Sequence, residues 1–175
     1  MKRNFEAALA ETLKWEGGFV NHPEDPGGMT YKGITAKTYA EFTGRRLATI
    51  TEKEMRELSN EIIQQIYKRK YWDAVKADQL PDGLDILAFD FAVNSGPTRA
   101  IKELQQCLNV PVDGILGPIT LKHISTFPIE QILKEYVQAR VDFLKQIKTF
   151  NTFGKGWMKR VAGIEALAKD TSEYA

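Results

Sequence analysis

The chain is poor in the residues that build disulfide frameworks and metal centres. It has one cysteine, Cys107, and two histidines, His22 and His123, among 175 residues. A single thiol excludes an internal disulfide. Lying between Gln106 and Leu108 in a helical stretch, it reads as a buried structural group rather than a nucleophile. The histidines are far apart and fit no His-Glu-x-x-His or Cys/His spacing, so zinc hydrolysis is poorly supplied with ligands, and no metal or cofactor is expected. Excess charge of one sign is missing as well, since 24 Lys and Arg face 23 Asp and Glu for a net charge of +1. Nucleic-acid binding needs clustered excess cations. The densest basic run, Lys68-Arg69-Lys70, is short and suits a solvated helix face. No apolar run reaches the roughly 18 residues that a spanning helix needs, so no stable membrane insertion is expected. The N-terminal Met1-Lys2-Arg3-Asn4-Phe5-Glu6 carries charge without an apolar stretch behind it and does not read as a secretory signal. The expectation is synthesis in the cytoplasm, with any substrate outside it reached by another delivery route.

What is present is enough apolar material for a real core, 43% of the residues, and a length that suits one domain. The pattern is mostly helical. Phe5 to Trp15 carries an i, i+3, i+4 stripe of Phe5, Ala8, Leu9, Thr12 and Leu13. Residues 19–34 hold two prolines and three glycines and read as a hairpin or a two- or three-stranded ribbon. Thr35 can cap a helix to about Phe42 closed by Gly44, and Thr51-Glu52-Lys53-Glu54 has the form of a capping box. A helical run from Glu61 to Val75 ends in Tyr67, Tyr71 and Trp72, of which two are expected in the core. Leu84 to Val93 is apolar almost all round and should be central, with Asp90 in need of partners. Helices are further expected from Pro97 to Leu108, from Pro118 to Thr126, and from Pro128 to Ile147. A break over Phe150–Gly156 precedes a last helix, Trp157–Lys169. The expected class is mainly α, an α+β arrangement with one small β element near the N-terminus. Short connections favour one body over 1–175, with sub-regions 1–93 and 94–175.

One residue breaks its own pattern. Continuing the first stripe at about 100° per residue puts position 16 near its middle, and Glu16 stands there. Gly17 and Gly18 follow, either able to take the positive φ of a C-terminal cap. Burial among apolar groups disfavours the charged form of a carboxyl, which suits a general acid working near neutrality. The plainer reading is a last-turn residue curling out to solvent. Asp25, in Asp25-Pro26-Gly27-Gly28, suits a turn on its own. Asp90 and Asn94, four apart on one helix face, suit a structural pair or the floor of a cleft.

Taken together, Glu16-Gly17-Gly18-Phe19, the Asp25-Pro-Gly-Gly-x-Thr30 turn and Tyr31-Lys-Gly-Ile-Thr35 resemble the glycoside hydrolase family 108 muramidases, typified by phage and prophage endolysins. The Glu16, Asp25, Thr30 series is also similar to the Glu/Asp/Thr arrangement of phage-type lysozymes, with the Asp-to-Thr interval one residue shorter. Phe89 to Gln105 and Val112 to Thr120 resemble the peptidoglycan-binding region that follows the catalytic segment in that family, and Gly154-Lys-Gly-Trp157-Met-Lys-Arg160 its C-terminal pattern. The resemblance implies a lysozyme-like fold and a monomer acting on peptidoglycan glycan strands after release by a holin or another export route. It implies cleavage of the β-1,4 bond between N-acetylmuramic acid and N-acetylglucosamine. Glu16 would be the general acid and Asp25 the second carboxylate, with Glu24 its alternative. Thr30 would position a water or hydrogen-bond Asp25, and Tyr31, Asn94 and Trp157 would bind substrate. Two other readings stand beside it. One is a wall-binding module without catalysis, and the other a lytic transglycosylase, which needs a single carboxylate.

Overall fold

The computed structural model describes residues 2–21 and 28–173. Its centre is α5, Leu84–Ser95, in which every residue from Leu84 to Ala92 is buried. No single face of such a sequence can be given to solvent, so other helices must enclose it. They do. The first helix, α1 (Lys2–Leu13), lies against α5, as do α6 (Pro97–Cys107), α8 (Ile129–Lys145) and α9 (Phe150–Glu173). Around this body stand α2 (Ala36–Thr43), α3 (Glu52–Arg56), α4 (Asn60–Tyr67) and α7 (Pro118–Ile124). No helix among the described residues is long and apolar enough to cross a membrane.

The start signals in the sequence act as their chemistry requires. The Thr35 hydroxyl accepts from Thr38 N, Gly44 closes α2 at φ 68°, and Thr51 with Glu54 forms the complete capping box of α3. Pro97 and Pro118 open their helices at the first turn, where no amide hydrogen is needed.

Three stretches differ from expectation. The run expected as one helix from Glu61 to Val75 is α4 followed by a π-helical turn, Lys68–Trp72. That turn buries both Tyr67 and Trp72 and leaves Tyr71 half-buried. Phe150–Gly156 is no break, for α9 runs unbroken through Gly154 and Gly156. A Cβ on Gly154 would sit 2.6 Å from the Phe150 ring one turn earlier. The glycine therefore serves side-chain packing within the helix. Lastly, α1 stops at Leu13, short of Trp15. Lys14 and Trp15 donate to Glu11 and Thr12 in tightened three-residue turns, and neither Gly17 nor Gly18 takes a positive φ. Trp15 is 37% exposed, and its ring lies 3.7 Å from where a Cβ on Gly163 of α9 would stand.

The β element is a ribbon of β1 (Thr30–Tyr31) and antiparallel β2 (Ile34–Thr35), with Thr30 opposite Thr35 and Tyr31 opposite Ile34. Lys32 and Gly33 make the two-residue turn with φ 46° and 75°, the signs of a type I′ turn, whose twist matches that of a hairpin. Val20 bridges Thr30 on the other edge, so the chain just after Glu16 forms a third, minimal strand.

Candidate active site

Glu16 stands between the end of α1 and this ribbon. Backbone bonds hold it from the ribbon side: Lys32 N donates to Gly17 O at 3.1 Å, and Val20 and Thr30 exchange bonds of 2.8 and 2.7 Å. Farther along, the Arg56 guanidinium lies 3.8 Å from the Phe19 ring centre and fixes the chain after the glycine pair.

Its surroundings are not the apolar interior that the helical stripe suggested. Because the helix ends early, the Glu16 side chain turns toward α9, where Arg160 Nη1 donates to Oε1 at 2.9 Å. The other edge of Arg160 forks onto Asp90 of α5, with Nη2 to Oδ1 at 2.8 Å and Nε within 3.1 Å of both oxygens. Asp90, fully buried, also accepts from Thr12 Oγ1 of α1 at 2.9 Å. Arg140 of α8 brings Nη2 to 2.7 Å from Asp90 Oδ2, out of line for a hydrogen bond, so this contact is an ion pair. The Arg140 cation also lies 5.2 Å from the Phe91 ring centre, which offsets part of its desolvation. Burial pushes the Asp90 carboxyl up, but Arg140 and Arg160 outweigh it and hold it below the usual carboxylate range.

The second oxygen of Glu16 faces the ribbon tip. A Cβ on Gly33 would lie 2.8 Å from Glu16 Oε2 and 2.5 Å from the Tyr67 hydroxyl. Only glycine fits both this approach and the positive φ. Tyr67 donates to Lys32 O at 2.8 Å and so ties the tip to α4. Burial, reinforced by the nearby Glu16 charge, raises the Tyr67 and Tyr71 phenols, which keeps both protonated. Their rings stand 5.4 Å apart. The Glu16 side chain keeps 20% of its surface exposed, enough to be reached from solvent.

Of the other residues expected in the site, Asp25 and Glu24 lie outside the described residues. Thr30 is committed through its backbone to Val20, and among the described residues its hydroxyl donates to Gly28 O, at 3.5 Å. Tyr31 is half-buried, with the Lys32 ammonium 5.4 Å from its ring centre. Asn94 is half-buried and accepts from Ser95 Oγ at 3.3 Å, while Asp90 turns to the arginines, so the two form no pair. Trp157 is half-buried on α9 one turn before Arg160, between Phe150 and Phe153 at 6.2 and 6.1 Å. None of these four makes a hydrogen bond to Glu16; among the described residues Arg160 does. Arg160 and Arg140 are the residues that sequence reasoning missed. The signals were an Asp90 in need of partners, which does not say which cation, and for Arg160 its place in the Gly154–Arg160 stretch, which gave it no role. Among the described residues, a hollow of about 400 Å³ beside Phe5, Gln64 and Trp72 does not include Glu16 in its lining.

A helical body with a small antiparallel ribbon at its flank, and a carboxyl seated between the two, defines a mainly-α protein of the lysozyme-like class. Its family follows from comparison. The chain matches the glycosyl hydrolase 108 model over residues 9–96 and belongs to that family. It is 39% identical to SagA of Brucella abortus, whose solved structure superposes with a TM-score of 0.84 over 98% of this chain and 97% of that one. No curated protein matches. The family indicates a peptidoglycan-hydrolysing glycosidase.

Proposed function

We propose that the chain is a muramidase, cleaving the β-1,4 bond between N-acetylmuramic acid and N-acetylglucosamine with Glu16 as general acid. The observation that carries this is the seat of Glu16, a reachable carboxyl with one oxygen on Arg160 and the other against the ribbon tip. Glycoside cleavage needs such an acid to protonate the departing oxygen, and a second carboxylate to activate water or face the oxocarbenium-like centre. Asp25 is assigned the second role, with Glu24 as its neighbour and alternative. Thr30 is assigned to a water or to Asp25. Tyr31, Asn94 and Trp157 are assigned to the glycan. The separation of the two carboxyl groups decides between inversion and retention.

In the cell this reading makes the protein a bacteriolytic enzyme of endolysin type, delivered to the wall through a holin or an export machine and acting as a monomer. Mass spectrometry of digested peptidoglycan tests it. Muropeptides with new reducing ends on N-acetylmuramic acid are expected from the native chain, and none from folded Glu16→Gln. Anhydro products would instead mean a transglycosylase, and undiminished release by Glu16→Gln would remove Glu16 from the chemistry.

A further inference from the structure

Glu16 belongs to no helix or strand, so contacts and not a regular backbone must set its side chain. The strongest comes from 144 residues later in the chain, where Arg160 Nη1 holds Oε1. Arg160 is itself immobilised. It is 7% exposed, stands on a long packed helix, and spends its Nε and Nη2 on Asp90. Asp90 is in turn gripped by Thr12 and Arg140 from two further helices. A planar guanidinium presents fixed edges, so with one edge locked on Asp90 the direction of Nη1 is fixed, and Glu16 must conform to it.

Resting on Glu16 as general acid, we propose that Arg160, aligned by Asp90, is the positioning residue of the reaction. It anchors Glu16 by Oε1 and thereby assigns proton transfer to Oε2. In that step the Oε2–H bond breaks and its electron pair stays on the carboxylate. The proton goes to the glycosidic oxygen, which keeps the electron pair of the breaking bond to the anomeric carbon. The charge left on Glu16 spreads over both oxygens, and Nη1 already faces one of them. A purely structural Arg160 would need only its Asp90 edge; the third nitrogen, spent on the acid, is what the structural role leaves over.

The test uses the dependence of general-acid catalysis on the leaving group. Arg160→Gln, Glu16→Gln and the native chain, each shown to be folded by circular dichroism at the assay temperature, are compared on two substrates. Peptidoglycan glycan strands need a proton on the leaving sugar oxygen, whereas a 2,4-dinitrophenyl β-glycoside of an N-acetylglucosamine oligomer does not. Both variants are expected to lose roughly 100-fold or more in kcat on strands, yet less than about threefold on the aryl glycoside. Equal losses by Arg160→Gln on the two substrates would overturn the proposal. If Glu16→Gln is itself indifferent to the leaving group, the general-acid reading falls and takes this inference with it. Glycan strands alone give a second measurement, with Glu16→Asp as a weakened acid. The Glu16→Asp/Arg160→Gln double variant is expected to be no slower than the slower single variant, because Arg160 acts through Glu16; multiplied losses count against it.

Discussion

Asp85 and Asp90 share one helix, and their surroundings drive them in opposite directions. Burial raises Asp85 to about 6, with Asn4, Ile86 N and Gly83 N partly offsetting it and the Asp82 charge adding to it. Asp90 is held low by two arginines that outweigh its own burial. For Asp85 the sign follows from which state holds the proton. Between about 4 and 6 the folded chain keeps a proton that the unfolded chain has lost, so stability falls as pH rises through this window. Asp85→Asn is therefore expected to raise the melting temperature at pH 7.5, by an amount equivalent to about 2 kcal/mol, and to give little gain at pH 4. Thermal melts at the two pH values check this. Asp90 behaves the other way, supplying stability above the ordinary carboxylate range and losing it as pH falls through its depressed value.

Gly33 offers a second test at this scale. Gly33→Ala places a methyl where Glu16 Oε2 and the Tyr67 hydroxyl already stand, at φ 75°. It is expected to lose most peptidoglycan hydrolysis and about 1–2 kcal/mol of stability. Gly17→Ala meets nothing within 4 Å among the described residues and should retain activity. At single residues the sequence was half legible. Glu16 stood out as a charge on an apolar stripe, but its partner could not be read, because nothing local in Glu16 or Asp90 selects Arg160 among the basic residues of the chain.

Elements read better than contacts, because caps and prolines act within a few residues of where they sit. The capping box at Thr51 and the openings at Pro97 and Pro118 stood where the sequence puts them. The failures came where a distant partner overrode local chemistry. Gly154 and Gly156 suggested a break in α9, but the Phe150, Phe153 and Trp157 rings pack along a continuous helix. The ribbon turn carries a strain that can be relieved. Lys32 holds φ 46° where asparagine is preferred before a glycine. Lys32→Asn is expected to raise stability by about 0.5–1 kcal/mol, read as a higher denaturant midpoint at unchanged slope.

At the scale of the molecule, Asp90 joins α1, α8 and α9 to α5 through Thr12, Arg140 and Arg160. Removing the anion would leave two buried cations without it. Asp90→Ala is expected to cost about 3–5 kcal/mol, a large share of the roughly 5–15 kcal/mol that holds a typical domain folded. Chemical denaturation measures it. The match to the family model ends at residue 96, yet α8 and α9 lie beyond it and pack on α5. We therefore expect residues 1–96 expressed alone to show no cooperative melt, the outcome for one body and not two. Sequence patterning signalled a central helix with a misplaced acid; it could not say that the acid was the knot tying four helices.

The pairing of Glu16 with Arg160 also bears on the order of synthesis. A ribosome delivers Glu16 first and the arginine that holds it 144 residues later. Every nascent or prematurely ended chain that stops short of residue 160 carries the carboxyl without its anchor. With Arg160 as the positioning residue proposed above, such a chain is expected to hydrolyse glycan strands no faster than Arg160→Gln.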